Sequence, residues 1–113
     1  MGLGQYDVAK IAIGRALRQS PNDLASLLNM GYLHLLEGNT KEAVVWLTKA
    51  VRVDPKRAEG YYFLGYCAEL DGRARSAEKA YRKAADLDDE NPSYPRALGS
   101  LYVNQGRYTQ AIE

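Results

Sequence analysis

The sequence predicts an all-α solenoid of stacked helix pairs, and three observations point to it. Equivalent residues recur at intervals of 34 along most of the 113-residue chain, and a fixed period of this length is typical of solenoids. The composition is rich in Ala, Leu, Lys, Arg and Glu and contains only four Pro, which favours helix throughout. Gly38, Pro55 and Gly72 fall between the predicted helices, where such residues mark turns.

The period is clearest when residues 24–57 are aligned with residues 58–91. The aligned pairs are Leu27 with Tyr61, Met30 with Leu64, Gly31 with Gly65, Gly38 with Gly72, Ala43 with Ala77, Leu47 with Tyr81, and Ala50 with Ala84. The same spacing continues outward in both directions, for example to Gly99 and Gly106 and back to Gly4. We therefore predict one repeat array over residues 1–113. In it, residues 1–23 hold the second helix of a truncated repeat, residues 24–57 and 58–91 are full repeats, and residues 92–113 are a truncated repeat.

Apolar periodicity within this register predicts six helices. They cover residues 6–18, 24–37, 41–53, 58–70, 74–87 and 94–104, and after a turn at Gln105 and Gly106 a further short helix begins at residue 108. Where the two helices of a pair approach most closely, we expect glycine to face alanine. The expected contacts are Gly31 with Ala43, Gly65 with Ala77, and Gly99 with Ala111.

The repeated residues resemble the tetratricopeptide repeat family. Leu27, Met30, Gly31, Ala43, Leu47, Ala50 and Pro55 form one copy of its motif, and Tyr61, Leu64, Gly65, Ala77, Tyr81 and Ala84 form a second. The resemblance covers essentially the whole chain. It implies a right-handed superhelical solenoid of antiparallel helix pairs, with a concave groove that binds a peptide or protein segment. It implies no catalytic chemistry.

One face of the first helix in each pair is the predicted peptide-binding groove. Residues at i, i+3 and i+4 share a helix face, and the resemblance implies that this face lines the groove. The predicted contact residues are Leu28, Asn29, Tyr32, Leu35, Glu59, Tyr62, Tyr66, Glu69, Arg96 and Ser100. Leu28 and Leu35 have a second interpretation, which is packing against a neighbouring helix.

The residue types in this groove indicate the kind of ligand. Tyrosine combines a rigid apolar ring with a hydroxyl group, which suits a partly wet binding surface. The mixed aromatic, acidic and basic lining predicts a ligand with apolar side chains and at least one cation. Replacing both Tyr62 and Tyr66 by alanine is expected to weaken binding while the helices stay intact.

One subset of the family clamps the C-terminal carboxylate of heat-shock chaperones with Lys, Asn and Arg side chains in the groove. Asn29 matches one member of that set, whereas Glu59 and Phe63 stand where the resemblance requires Lys and Arg. Because Glu59 would repel a carboxylate, we do not expect this chain to clamp one.

Composition and motifs argue against other classes of function. The net charge is +1, so no bulk field favours nucleic acid, and no apolar run approaches the roughly 18 residues of a membrane span. His34 and Cys67 are the only His and Cys; a metal site needs several ligands, so we predict that both pack within helix pairs. We find no enzyme signature and predict a non-catalytic chain without a cofactor. A single cysteine leaves the compartment open and fits a reducing one such as the cytoplasm.

Two further functions stay open at this point. Both ends of the sequence fall within a repeat, which predicts a fragment of a longer array whose exposed ends associate. In that case the helix at 6–18 docks on the 94–104 region of a second copy, giving a homo-oligomer. Alternatively, the chain is an accessory segment of a larger enzyme, such as a glycosyltransferase, or of a secretion or assembly complex.

Overall fold

The computed structural model describes the backbone of residues 4–112 and the side chains as far as residue 106. Within this range it contains helices and turns and no strand. The helices are α1 (Gln5–Gln19), α2 (Leu24–Leu36), α3 (Thr40–Val53), α4 (Ala58–Leu70), α5 (Ala74–Leu87) and α6 (Ser93–Ile112). The all-α prediction is confirmed, and α4 and α5 have the bounds that the repeat register predicted.

The chain divides into two compact units, Met1–Pro55 and Lys56–Glu113. In the first unit, α2 packs against both α1 and α3; in the second, α5 packs against both α4 and α6. Within each unit, short turns connect these helices, and helices joined in this way pack side by side. None of the helices within residues 4–112 combines the length and apolar character that crossing a bilayer requires.

The turn inside each helix pair has the same backbone geometry in both units. Gly38 has a φ of 77° and Gly72 a φ of 75°. This is the left-handed region, which glycine enters without the steric cost that a Cβ would add. The residues that follow also agree, with φ −92° and ψ 74° at Asn39 and φ −97° and ψ 75° at Arg73. Residues 34 apart therefore adopt the same turn.

The ends of α1, α3 and α5 repeat in the same way. The C-cap residues that follow these helices, Ser20, Asp54 and Asp88, have φ values of −136°, −140° and −141°. Each of these amides donates to a carbonyl four residues earlier, at 2.9 to 3.0 Å. Three helix ends at 34-residue spacing thus share one local structure.

The close approach predicted at Gly31 and Gly65 exists, but its partners differ from those expected. A Cβ added to Gly31 would lie 2.6 Å from Cγ of Leu47, and one added to Gly65 would lie 2.7 Å from Cδ1 of Tyr81. The expected facing residues, Ala43 and Ala77, are buried. They lie one turn earlier on the same helix faces as Leu47 and Tyr81. The large side chains reach the glycine, whereas a methyl group is too short.

The third predicted contact of this kind, between Gly99 and Ala111, falls partly outside the described residues. An added Cβ at Gly99 would have no described neighbour within 4 Å. The side chain of Ala111, its expected partner, lies outside the described residues.

The predicted break at Gln105 and Gly106 is wrong, because α6 continues through both residues to Ile112. Glycine inside a helix costs only about 1 kcal/mol relative to alanine, so it does not by itself end one. The turns at Gly38 and Gly72 are each followed by a full-length helix that packs back on its partner.

Two buried clusters form the core of the second unit. One contains Ala77, Tyr81 and Leu101, and the other contains Ala58, Ala84 and Tyr94. Tyr62 packs against both clusters. Cys67 is buried, as predicted, and burial raises the pKa of its thiol to about 11.

Candidate functional site

A pocket of about 280 Å³ lies between helices of the second unit. We refer to it as the α4–α6 pocket. Its lining residues are Tyr62, Tyr66 and Glu69 on α4, Tyr81 on α5, and Ser93, Arg96, Ala97 and Ser100 on α6. The spacing within α4 and within α6 is i, i+3 and i+4, which places these side chains on one face of each helix.

A hydrogen bond between Tyr81 and Glu69 fixes one side of the pocket. The Tyr81 hydroxyl donates to Oε1 of Glu69 at 2.7 Å. The ring of Tyr81 is only 1% exposed, so it holds the half-buried carboxylate in place. Burial, and then the hydrogen bond to the Glu69 carboxylate, raise the pKa of Tyr81 above its ordinary value. The phenol is therefore a persistent donor.

Tyr62 belongs to the pocket wall and to the core at once. Its ring centroid lies 5.9 Å from that of Tyr81 and 5.2 Å from that of Tyr94, with tilted planes. Pairs of this kind stabilise a fold beyond the area they bury. Replacing Tyr62 by alanine would therefore remove core packing, contrary to the expectation that a variant at Tyr62 and Tyr66 leaves the helices intact. Tyr66 is 44% exposed, and a substitution of this tyrosine is therefore the one that tests ligand binding.

A separate polar cluster joins α6 to α5. The Arg82 guanidinium donates to the Tyr102 hydroxyl at 2.7 Å, and this hydroxyl donates to Oε1 of Glu78 at 3.0 Å. Arg82 and Glu78 also form an ion pair at 2.8 Å. These contacts lie at the surface and help to set the position of the helix that carries Arg96 and Ser100.

The structure brings together half of the ten predicted groove residues. Tyr62, Tyr66, Glu69, Arg96 and Ser100 all line the α4–α6 pocket. Glu59 instead forms an ion pair with Arg57 at 3.2 Å and lines another cavity, with Asp88 and Tyr94.

The other four predicted residues lie on α2, in the first unit. Asn29 and Tyr32 are exposed. Leu28 and Leu35 are 5% and 6% exposed, which matches their second interpretation as packing residues. They present too little surface for a ligand, and we leave them out of the site.

Three pocket residues, Tyr81, Ser93 and Ala97, were not among the ten predicted groove residues. Tyr81 occupies a core position of the repeat, where the other copy has Leu47. A buried tyrosine hydroxyl generally needs a hydrogen-bond partner. The need for such a partner is a signal in the sequence, because it indicates a polar group near this otherwise apolar core position.

Comparison with known proteins decides the family. Two profiles described as tetratricopeptide repeat match this sequence, one over residues 24–57 and the other over residues 46–95. The chain belongs to the tetratricopeptide repeat family. The family prediction made from the repeated residues is thereby confirmed.

Relatives and solved structures agree with this assignment. The type IV pilus assembly protein PilF of Pseudomonas aeruginosa is 31% identical over 96 residues, a match that covers 85% of this chain and 37% of PilF. The structure of MamA 41-end from Desulfovibrio magneticus RS-1 is 28% identical, with a TM-score of 0.82, and covers 96% of this chain and 62% of that one. The first tetratricopeptide repeat domain of Spaghetti (RPAP3), bound to the HSP90 peptide SRMEEVD, has a TM-score of 0.84. At 16% identity, covering 91% of this chain and 82% of that one, it shows the fold alone.

These comparisons establish an all-α fold of the tetratricopeptide type, which supports protein–protein interaction. This tetratricopeptide repeat sequence spans less than two thirds of the length of PilF and of MamA. Among the described residues, no group of three or more His, Cys, Asp or Glu side chains is placed to hold a metal ion.

Proposed function

We propose that this chain is a non-catalytic scaffold that binds a peptide or protein segment against α4 and α6 of the second unit. The observation that carries the proposal is the α4–α6 pocket, which collects an exposed tyrosine, a carboxylate, a guanidinium and two hydroxyl groups around one opening. Such a mixture of apolar surface and directed polar groups is typical of binding sites.

Preorganisation is the physical basis of the proposed binding. The Tyr81–Glu69 hydrogen bond and the packing of Tyr62 hold part of the pocket wall before a ligand arrives. Binding of a segment there therefore costs the entropy of ordering the segment but not that of ordering the wall. We expect the segment to contribute one or two side chains to the pocket and to lie along the exposed side chains of α4 and α6.

We do not include recognition of a C-terminal carboxylate in this proposal. The HSP90 peptide is a ligand of the RPAP3 domain, and this chain has Glu59 and Phe63 where the family's carboxylate-binding Lys and Arg are expected.

The test is selection of binding peptides from a random library with the 113-residue chain, followed by mapping of amide shifts in two-dimensional NMR spectra. We expect selected peptides to shift the amides of Tyr66, Glu69 and Ser100, and Tyr66→Ala to weaken their binding. Tyr6→Ala is the matched control, because Tyr6 is a similarly exposed tyrosine on α1. A selection without binders, or binders whose affinity Tyr66→Ala leaves unchanged, would reject the proposal.

Self-association is a second candidate function, favoured by apolar side chains at the surface of α1. Tyr6, Val8 and Ile11 are 40%, 56% and 47% exposed, and Val103 on α6 is 56% exposed. Val8 and Ile11 are three residues apart and share one face of α1, and an exposed apolar face can mark an interaction surface. Sedimentation velocity over a hundred-fold range of concentration separates the two functions. Association that Ile11→Asp abolishes supports this candidate, whereas a monomer at every concentration removes it.

A further inference from the structure

We infer that the α4–α6 pocket takes a lysine or arginine side chain of the bound segment, with Glu69 as its counter-ion. This inference rests on the proposed function and adds the chemistry of the ligand. It follows from the placement of one half-buried carboxylate among three tyrosine rings.

The carboxylate of Glu69 has capacity for a ligand. A carboxylate offers about four acceptor positions on its two oxygens, and the Tyr81 hydroxyl uses one of them, on Oε1. An ammonium or guanidinium group carries three to five donors. Hydrogen bonds between such charged partners are roughly twice as strong as those between neutral groups.

The tyrosine rings favour the same ligand. Tyr62, Tyr66 and Tyr81 line the pocket, and the face of an aromatic ring attracts a cation within about 6 Å of its centroid. The long methylene stem of lysine or arginine also packs well on aromatic surface while its head reaches a polar group. An acidic side chain would gain neither contact.

The size of the pocket fits one side chain. Its volume of about 280 Å³ lies below the roughly 300–1,000 Å³ of sites that enclose drug-sized molecules. A single long side chain can enter, and the rest of the segment stays on the surface of α4 and α6.

Among the described residues that line the pocket, Arg96 is the one that opposes a cation. It is exposed, whereas Glu69 is half-buried, so water and salt screen the charge of Arg96 more strongly than that of Glu69. Removing its charge should therefore strengthen the binding of a cation, whereas it would weaken the binding of an acid.

The experiment uses three pentapeptides that differ at the central position. Each is acetylated and amidated, and the central residue is lysine, norleucine or glutamate between flanking alanines. Amide shifts of the 113-residue chain are followed as each peptide is added to millimolar concentration. We expect saturable shifts at Tyr66, Glu69 and Ser100 with the lysine peptide, and binding of the other two peptides weaker by about ten-fold or more, as the loss of a charged hydrogen bond implies.

Two variants sharpen the test. Glu69→Gln keeps an acceptor for the Tyr81 hydroxyl and removes the charge, so it should weaken binding of the lysine peptide and leave the norleucine peptide unaffected. Arg96→Gln should strengthen binding of the lysine peptide. If Glu69→Gln does not fold, the salt dependence of the unmodified chain replaces it, because the affinity for the lysine peptide alone should fall as salt rises.

The outcomes separate this inference from the proposed function. Equal binding of the lysine and norleucine peptides, tighter binding of the glutamate peptide, or an absence of shifts with all three overturns the cation inference. If library-selected peptides still bind at Tyr66, the scaffold function stands without it. If the library yields no binder at this surface, the proposed function itself fails.

Discussion

Gly65 lies where α4 and α5 leave no room for a side chain. A Cβ at this position would lie 2.7 Å from Tyr81 and 3.2 Å from the Cβ of Ala80. Tyr81 is buried and cannot swing away without disturbing its hydrogen bond to Glu69. We expect Gly65→Ala to lower the free energy of unfolding by about 1–3 kcal/mol, the usual cost of overpacking a core.

Gly99→Ala is the control for this substitution. Gly99 also lies inside a helix, but an added Cβ would meet no described atom within 4 Å. Alanine should therefore stabilise α6 by up to about 1 kcal/mol, since it loses less backbone entropy than glycine on folding. Thermal and urea unfolding of both variants measure the difference. Equal effects of the two substitutions would contradict the close packing of Gly65 on Tyr81.

The Tyr81 hydroxyl should make stability depend on pH in the alkaline range. Burial and the contact with Glu69 raise the pKa of this phenol above its ordinary value of 10.0. As the pH rises, the unfolded chain loses this proton before the folded chain does. The contribution of the hydroxyl to stability is therefore complete below about pH 10 and falls as the pH rises further. We expect Tyr81→Phe to make the alkaline loss of stability shallower, although raised pKa values of Tyr94 and Cys67 act in the same direction. Urea unfolding at several pH values from 8 upward measures the slope. An unchanged slope would mean that the hydroxyl is not buried against Glu69.

At the scale of the helix, Asp23 begins α2. Its Oδ2 atom accepts a hydrogen bond from the Ser26 amide at 3.1 Å and another from the Ser26 hydroxyl at 2.6 Å. These bonds, first the one from the hydroxyl and then the one from the amide, lower the pKa of Asp23. The cap therefore makes its full contribution to the stability of the fold at pH values above the ordinary pKa of about 3.9. This contribution is lost as the pH falls through the lower pKa that Asp23 has in the folded chain.

The Asp23 cap can be tested by two substitutions. Asp23→Ala should lower the melting temperature at pH 7, because it leaves amides at the start of α2 without an acceptor. Asp23→Asn should retain most of the stability at pH 7 and remove this residue's share of the acid-induced loss. If Asp23→Ala melts at the same temperature as the unmodified chain, the cap does not contribute to α2.

Sequence reasoning located the helices where the signal is local. The bounds of α4 and α5 follow from apolar periodicity, Gly72 and the 34-residue register. The same reasoning failed at Gly106, because its immediate sequence resembles that of Gly72. Whether the chain turns at such a glycine depends on the helix that packs afterwards, and this tertiary contribution is invisible in a local pattern.

At the scale of the molecule, the sequence predicted the repeat but only part of the site. The family resemblance placed Arg96 on α6 beside Tyr66 and Glu69 on α4, and all three line the α4–α6 pocket. Periodicity shows which residues share a helix face. It does not show how deeply that face is covered by other helices, so it could not separate the buried Leu28 and Leu35 from the exposed Asn29. Tyr81 was missed because its position in the repeat belongs to the core, and only the structure shows its hydroxyl reaching Glu69.

The most direct test of the account asks where on the whole molecule a bound segment lies. We would record isotope-filtered NOEs between a library-selected peptide and the labelled chain. We predict contacts to the Tyr66 ring and to protons of Arg96 and Ser100. NOEs confined to surface side chains elsewhere, such as Val45 on α3 or Ile11 on α1, would contradict it.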